Sequence, residues 1–247
     1  MTRAALASFA VGLLGMGIDA AHAGRPLSTD DAAILPEGAC QLETWLRPSA
    51  HLHQFNFQPA CNPWGGVEWG ASFTRQHAAD ASPQSLVGLQ AKTVFREAET
   101  GSWGAGATVG VVRAAGGGST GTLRAGTLIV SAAPTAALTL HANVGATQEG
   151  PRHAIANWAA AIEYELHPRW TLVAESYGAR HGRASHQVGV RTWLDPDRLQ
   201  LDATIGRETV GGTREPVLTL GLVWVWERVF AQKGLLTPTN TERRAPN

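Results

Sequence analysis

Apolar and polar residues alternate one by one along most of this chain, and only extended strands give such a sequence one dry face and one wet face. In Leu199-Gln200-Leu201-Asp202-Ala203-Thr204-Ile205 every odd position is apolar and every even one polar; Leu138-Thr139-Leu140-His141-Ala142-Asn143-Val144 does the same with the parity reversed. Trp158, Ala160, Ile162, Tyr164 and Leu166 share a face opposite Asn157, Glu163 and Glu165, while Leu218, Leu220, Leu222, Trp224 and Trp226 oppose Thr219, Gly221, Val223 and Val225. The alternation predicts about twelve strands, over 39–47, 51–61, 66–75, 86–96, 103–113, 122–132, 136–147, 154–166, 169–180, 185–193, 197–207 and 217–230. After the N-terminal 23 residues there is no sustained helical period.

The links between these strands alternate in length. Tight turns are expected at 132–135, 167–168 and 194–196, and longer polar loops at 76–85, 114–121, 148–153, 181–184 and 208–216. Short turns at one end and longer loops at the other characterise bacterial outer-membrane barrels, whereas Greek-key sandwiches mix them. The expected fold is therefore all-β: an up-and-down antiparallel transmembrane β-barrel.

Residues 1–23 have the layout of a cleaved secretory signal peptide: cationic Arg3, an apolar stretch over 4–18, and the small-x-small triplet Ala21-His22-Ala23. The apolar stretch is shorter than the roughly 20 residues a membrane-spanning helix needs. Export makes a disulfide the expected state of the only two cysteines, Cys40 and Cys61. A hairpin turning near 48–50 sets them directly opposite each other. The same register pairs Leu46 with Phe55 and Thr44 with Phe57 on one face, and Glu43 with Gln58 and Trp45 with Asn56 on the other.

By parity, the polar face collects Glu43, Glu68, Lys92, Arg124, His141, Asn143, Asn157, Glu163, Glu165, Glu175, Arg191 and Asp202, together with Gln54, Asn56, Gln90 and Arg198. Charges of both signs on one face of successive strands suit a wet lumen and would be intolerable in a dry core. This argues against a secreted soluble barrel or sandwich that binds a ligand, which stands as the alternative. A formal net charge of zero, from 20 basic and 20 acidic residues, gives no sequence-wide field for nucleic acid. Trp69, Trp103, Trp158, Tyr164, Trp170, Trp224 and Trp226 all fall on the apolar parity, as in an aromatic girdle.

HExxH and Walker signatures are missing. His51 and His53 share a strand face without a third metal ligand, and His77, His153, His181 and His186 fall in or beside expected loops. Ser176 has the lipid-facing parity that a membrane-embedded lipid hydrolase would require, but His141, the histidine inside a strand, has the opposite parity. No catalytic residue, metal or cofactor is assigned.

The stretches Gly24-Arg25-Pro26-Leu27-Ser28-Thr29-Asp30-Asp31-Ala32 and Pro36-Glu37-Gly38-Ala39-Cys40-Gln41-Leu42-Glu43-Thr44-Trp45 resemble the opening of proteins of the MetA-pathway of phenol degradation family, and Leu166-His167-Pro168-Arg169-Trp170-Thr171-Leu172-Val173-Ala174-Glu175 looks like a turn and strand of that family. The resemblance implies a Gram-negative outer-membrane barrel that passes an aromatic or hydrophobic small molecule. Thr219, Gly221, Trp224 and Trp226 are similar to the last-strand signal read by the barrel assembly machinery. The expected organisation is a signal peptide at 1–23, a periplasmic segment at 24–38, a barrel at 39–230 and a disordered periplasmic tail at 231–247. Its expected partners are outer-membrane lipid, the assembly machinery and a small solute; a structural barrel without transport is the alternative.

Overall fold

The computed structural model describes residues 27–78, 82–115, 121–210 and 213–230; the signal peptide and the tail expected at 231–247 lie outside the described residues. Twelve strands are present: β1 (Cys40–Pro48), β2 (Leu52–Cys61), β3 (Glu68–Ala78), β4 (Gln84–Arg96), β5 (Ser102–Ala114), β6 (Leu123–Thr135), β7 (Leu138–Glu149), β8 (Ile155–His167), β9 (Trp170–Ala179), β10 (Ser185–Asp195), β11 (Leu199–Val210) and β12 (Thr213–Trp226). Each pairs antiparallel with its neighbours in the chain, and β1 pairs with β12, so the sheet closes into a barrel without edges.

The alternation seen in the sequence becomes an inside and an outside. On β6, Ile129 and Ser131 are buried while Leu128, 60% exposed, and Val130 point away from the barrel. On β12, Val217, Thr219 and Val223 are buried, and Leu218, Leu220 and Trp224 are exposed. Across the molecule the buried side chains are mostly polar and the exposed ones mostly large and apolar, the reverse of a water-soluble fold. Hydrocarbon is the solvent for which such an outer wall is built.

The β1–β2 register is the one expected: Cys40 lies opposite Cys61 and bonded to it, with Leu46 opposite Phe55, Thr44 opposite Phe57, Glu43 opposite Gln58 and Trp45 opposite Asn56. Several strands run further than expected. β11 and β12 reach Val210 and Thr213, so most of the polar loop expected at 208–216 is strand, with Arg207 and Arg214 exposed and Glu208 and Glu215 buried. Charge there marks a wet inner face and an outer rim. The turn expected at 132–135 lies at 136–137, because β6 continues through an irregularity between Ala132 and Thr135. Arg198 belongs to the turn after β10, where it approaches Asp195 at 3.9 Å.

At the end where the chain enters β1, here termed the turn end, the wall is tied by backbone bonds from Gly38 N–H to the Asn62 carbonyl, from Asn62 N–H to that of Ala39, and from Phe230 N–H to that of Gly38. The opposite end, where the 79–83, 115–122 and 150–154 links emerge, is the loop end.

Candidate functional site

The lumen is occupied. Residues 24–38 were expected in the periplasm, yet 27–35 lie inside the barrel, with Leu27, Thr29, Asp30, Ala32 and Leu35 all buried. The physical reason is a match of donors and acceptors. The wall offers carboxylates and hydroxyls with nothing along their own strands to bond, and an extended segment supplies free N–H groups at regular spacing.

Glu175 on β9 takes the deepest part of the segment. Its carboxylate accepts from Ser28 N–H at 2.8 Å, from Thr29 N–H at 2.9 Å and from the Thr29 hydroxyl at 2.7 Å, and Gln187 also donates to it. Leu27 packs on Ala161 and Val173 in a small apolar seat beside this anchor. Next, Lys92 on β4, 1% exposed, meets two carboxylates of the segment: Asp30 Oδ1 at 2.6 Å and Asp31 Oδ1 at 2.8 Å. The Thr108 hydroxyl donates to the second oxygen of Asp30 at 2.9 Å. With its amide oriented to satisfy both groups, Asn143 on β7 pairs with the N–H and the C=O of Asp30, each at 3.0 Å.

Toward the turn end, Ala32 N–H donates to the Ser131 hydroxyl at 2.8 Å, and Ser131 Oγ lies 2.8 Å from His141 Nδ1. Leu35 N–H donates to Glu68 at 2.8 Å, and the Asn62 amide donates to the Leu35 carbonyl at 2.7 Å. The segment is thus hydrogen-bonded to β3, β4, β5, β6, β7 and β9, and Leu27 adds a contact with Ala161 on β8. Beside it a cavity of about 600 Å³ opens between Asp31, Leu35, Glu37, Glu97, Ser131 and His141.

Two further wall networks involve no residue of the segment, the first of them linked to its Ser131 anchor through His141. Arg191 makes a bidentate pair with Glu163, at 2.8 and 3.0 Å, and His141 Nε2 lies 3.7 Å from the same carboxylate. Near the loop end, Arg47 reaches from β1 to Glu208 on β11 at 2.7 Å and to the Tyr177 hydroxyl on β9 at 3.0 Å. Glu215, two residues into the lumen face of β12, meets His51 at 2.8 Å.

Of the lumen residues expected from parity, Glu43, Glu68, Lys92, His141, Asn143, Glu175, Arg191 and Asp202 are buried inside, and Asn157 and Glu163 are half-buried there, Asn157 donating to Thr147 at 3.0 Å. Glu165 keeps the inward parity but is exposed at the turn-end mouth. Arg124 is corrected: it pairs with Val111 and shares its face with Leu128 and Val130, so it points outward. Only Ile129 and Ser131, apolar and polar on the same inner face, break the parity of that strand, and this hides its direction in the sequence. Gly221 of the expected assembly signal faces inward with Thr219, at a point where a Cβ would lie 2.5 Å from the Asp202 carboxylate oxygens; Trp224 and Trp226 stack at 5.1 Å on the outer wall.

The segment itself escaped the sequence pattern because its polarity reads as solvation. Leu27 and Leu35, apolar residues bracketing a stretch otherwise assigned to water, were the available signal. Two histidines expected in or beside loops, His77 and His186, are strand residues of β3 and β10. The register puts His186 opposite Ser176, with Arg207 beyond the imidazole and Ala160 beyond the serine. Neither flanking position holds a carboxylate to orient the ring, as triad chemistry requires.

A family model matches residues 11–224. The chain belongs to that family, described as Uncharacterised conserved protein UCP029691. That description names neither an activity nor the MetA-pathway family that the opening of the sequence resembles. A search of the curated proteins finds no match. Among solved structures, a COG4313 outer membrane channel from Pseudomonas putida F1 is similar at 14% identity and a TM-score of 0.63, over 79% of this chain and 98% of that one. The KdgM porin aligns at 10% identity and TM-score 0.60, over 74% and 98%, and the NanC porin at 10% and 0.59, over 75% and 98%. At such identities the likeness is one of fold.

Proposed function

We propose that this protein is an outer-membrane channel for a small solute, without covalent chemistry, whose lumen is held shut by its own residues 27–35. The observation that carries this reading is the way the segment is fastened. It sits in the lumen largely by hydrogen bonds and one lysine–aspartate cluster, contacts that water can replace, with Leu27 and Leu35 as its largest buried apolar side chains. A segment serving only as filler would be expected to pack through apolar side chains.

The apolar outer wall and the charged inner one support residence in the outer membrane, reached through the signal peptide at 1–23. Thr219, Gly221, Trp224 and Trp226, on the strand that closes the barrel, are assigned to recognition by the assembly machinery. The likeness to the MetA-pathway of phenol degradation family makes an aromatic or hydrophobic compound the first solute to try. Heat-modifiable migration and recovery from the outer-membrane fraction test the location; recovery as a soluble periplasmic protein overturns it. Solute uptake by liposomes carrying the barrel with 27–35 deleted tests passage, and an impermeable deletion variant leaves a structural role.

A further inference from the structure

The outer wall differs between its two ends. The turn end carries aromatic rings: Trp69, Phe95, Trp103, Tyr164, Trp170 and Trp224 are exposed there. At the loop end the outward positions of the strands instead carry Arg75, Arg113, Arg124, Arg207 and Arg214, each exposed and each within a few residues of its strand terminus. Among the described residues no carboxylate stands on an outward strand position at that end. Arg75 donates to the Ser85 hydroxyl at 2.8 Å, and none of these arginines is ion-paired with a described carboxylate. The carboxylates nearest in sequence, Glu208 and Glu215, face the lumen and are held by Arg47 and His51.

The register groups these arginines. Arg124 lies opposite Val111, so Arg113 stands diagonally from it across β5 and β6; Arg207 lies opposite Pro216, so Arg214 stands diagonally from it across β11 and β12. Diagonal neighbours on one face are roughly 7–8 Å apart, within reach of one another's side chains. Long cationic side chains at the edge of an apolar wall extend to the headgroup level, and a guanidinium binds phosphate oxygens two at a time.

We propose that the loop-end rim is a binding girdle for the phosphate groups of membrane lipids in the leaflet it meets, with Arg113 and Arg124 forming one grip and Arg207 and Arg214 another. The proposal rests on the membrane-spanning reading above. It implies that the loop end faces the leaflet richer in phosphorylated lipid, while the aromatic end anchors the opposite interface.

The test uses the full barrel, inserted in vesicles of phosphatidylethanolamine with or without bis-phosphorylated lipid A, after heat-modifiable migration has shown that each variant is folded. The readout is lipid A retained by the protein after detergent extraction and gel filtration. The double variants Arg113→Gln/Arg124→Gln and Arg207→Gln/Arg214→Gln are expected to lose about tenfold or more in retention affinity, the factor carried by one lost charge-assisted contact. Arg96→Gln, at the turn end over the Trp103 ring at 4.3 Å, is expected to bind as the parent does. Dephosphorylated lipid A should bind the parent as weakly as the double variants bind the intact lipid, and inorganic phosphate should not displace the lipid. Equal retention by parent and both double variants overturns the girdle. Displacement by inorganic phosphate overturns the lipid as its occupant. Failure of every variant to insert in vesicles instead overturns the membrane reading itself.

Discussion

The lumen holds two obstacles, a length of chain in its turn-end half and a bridge of wall side chains near the loop end, and the two are made differently. The first is residues 27–35, which lead into β1 and are fastened by hydrogen bonds to six strands. The second is the bridge from Arg47 to Glu208 and Tyr177, whose members are all fixed in strands. A tethered segment can leave as one unit, whereas the bridge opens only if individual side chains rotate. The first is therefore suited to open and shut a passage, and the second to set its width.

Deleting 27–35 should produce the largest effect. Single-channel recording in planar bilayers is expected to show a conductance step absent from the parent. Because Glu43, Glu68, Glu175 and Asp202 outnumber Lys92 and Arg191 on the wall at that depth, a salt gradient should give a reversal potential favouring cations. A silent deletion variant would show that the Arg47 bridge alone seals the barrel. Next in size is Lys92→Ala, which leaves Asp30 and Asp31 buried without their cation. Removing one partner of such a pair costs about 3–5 kcal/mol, here of segment docking, which is about a hundredfold or more in the docked-to-free ratio. A cysteine placed at Ala32 should then react with a thiol reagent far faster than in the parent, and Lys92→Arg should restore much of the protection.

The two closures also separate stability from gating. Replacing both Cys40 and Cys61 by serine removes a cross-link between residues 21 apart in sequence, expected to cost about 3 kcal/mol of barrel stability, read as a lower denaturant midpoint with the conductance of the deletion variant unchanged. Mass spectrometry of protein from the native membrane should find no alkylatable thiol. Arg47→Ala should be the mildest, at roughly 1.5–3 kcal/mol for the lost charge-assisted bonds. It should widen the deletion channel without opening the parent. Combined with Lys92→Ala its effect should add, since the two sites share no partner.

Alternation carried most of the fold. Leu138–Val144 and Leu199–Ile205 show their inner and outer residues directly, and the hairpin register followed from a turn near 48–50, which set the two cysteines opposite each other and sorted Leu46 and Phe55 from Glu43 and Gln58. Parity failed where it had little to act on. In β6 the run Leu128-Ile129-Val130 is apolar on both faces and Ala125, Gly126 and Thr127 are small, so nothing marked the outward face and the arginine was placed on the wrong one. It failed altogether for 27–35, which forms no strand of the sheet: no periodicity records a contact between a segment and side chains up to 147 positions away. What brings Ser28 to Glu175 is the closing of the barrel, a property of the whole chain.

Most of the wall's hold on the segment falls on its main chain. Glu175, Ser131, Glu68 and Asn143 bind peptide N–H groups of Ser28, Thr29, Asp30, Ala32 and Leu35, and only Lys92 and Thr108 address the Asp30 carboxylate. A peptide group is the same whatever residue carries it. The segment can therefore tolerate replacement at Ser28, Ala32 and Ala33 by residues of similar bulk, while each of its four wall anchors is irreplaceable. The information that specifies the closed state is thus stored mainly in the barrel, and the part that moves carries little of it.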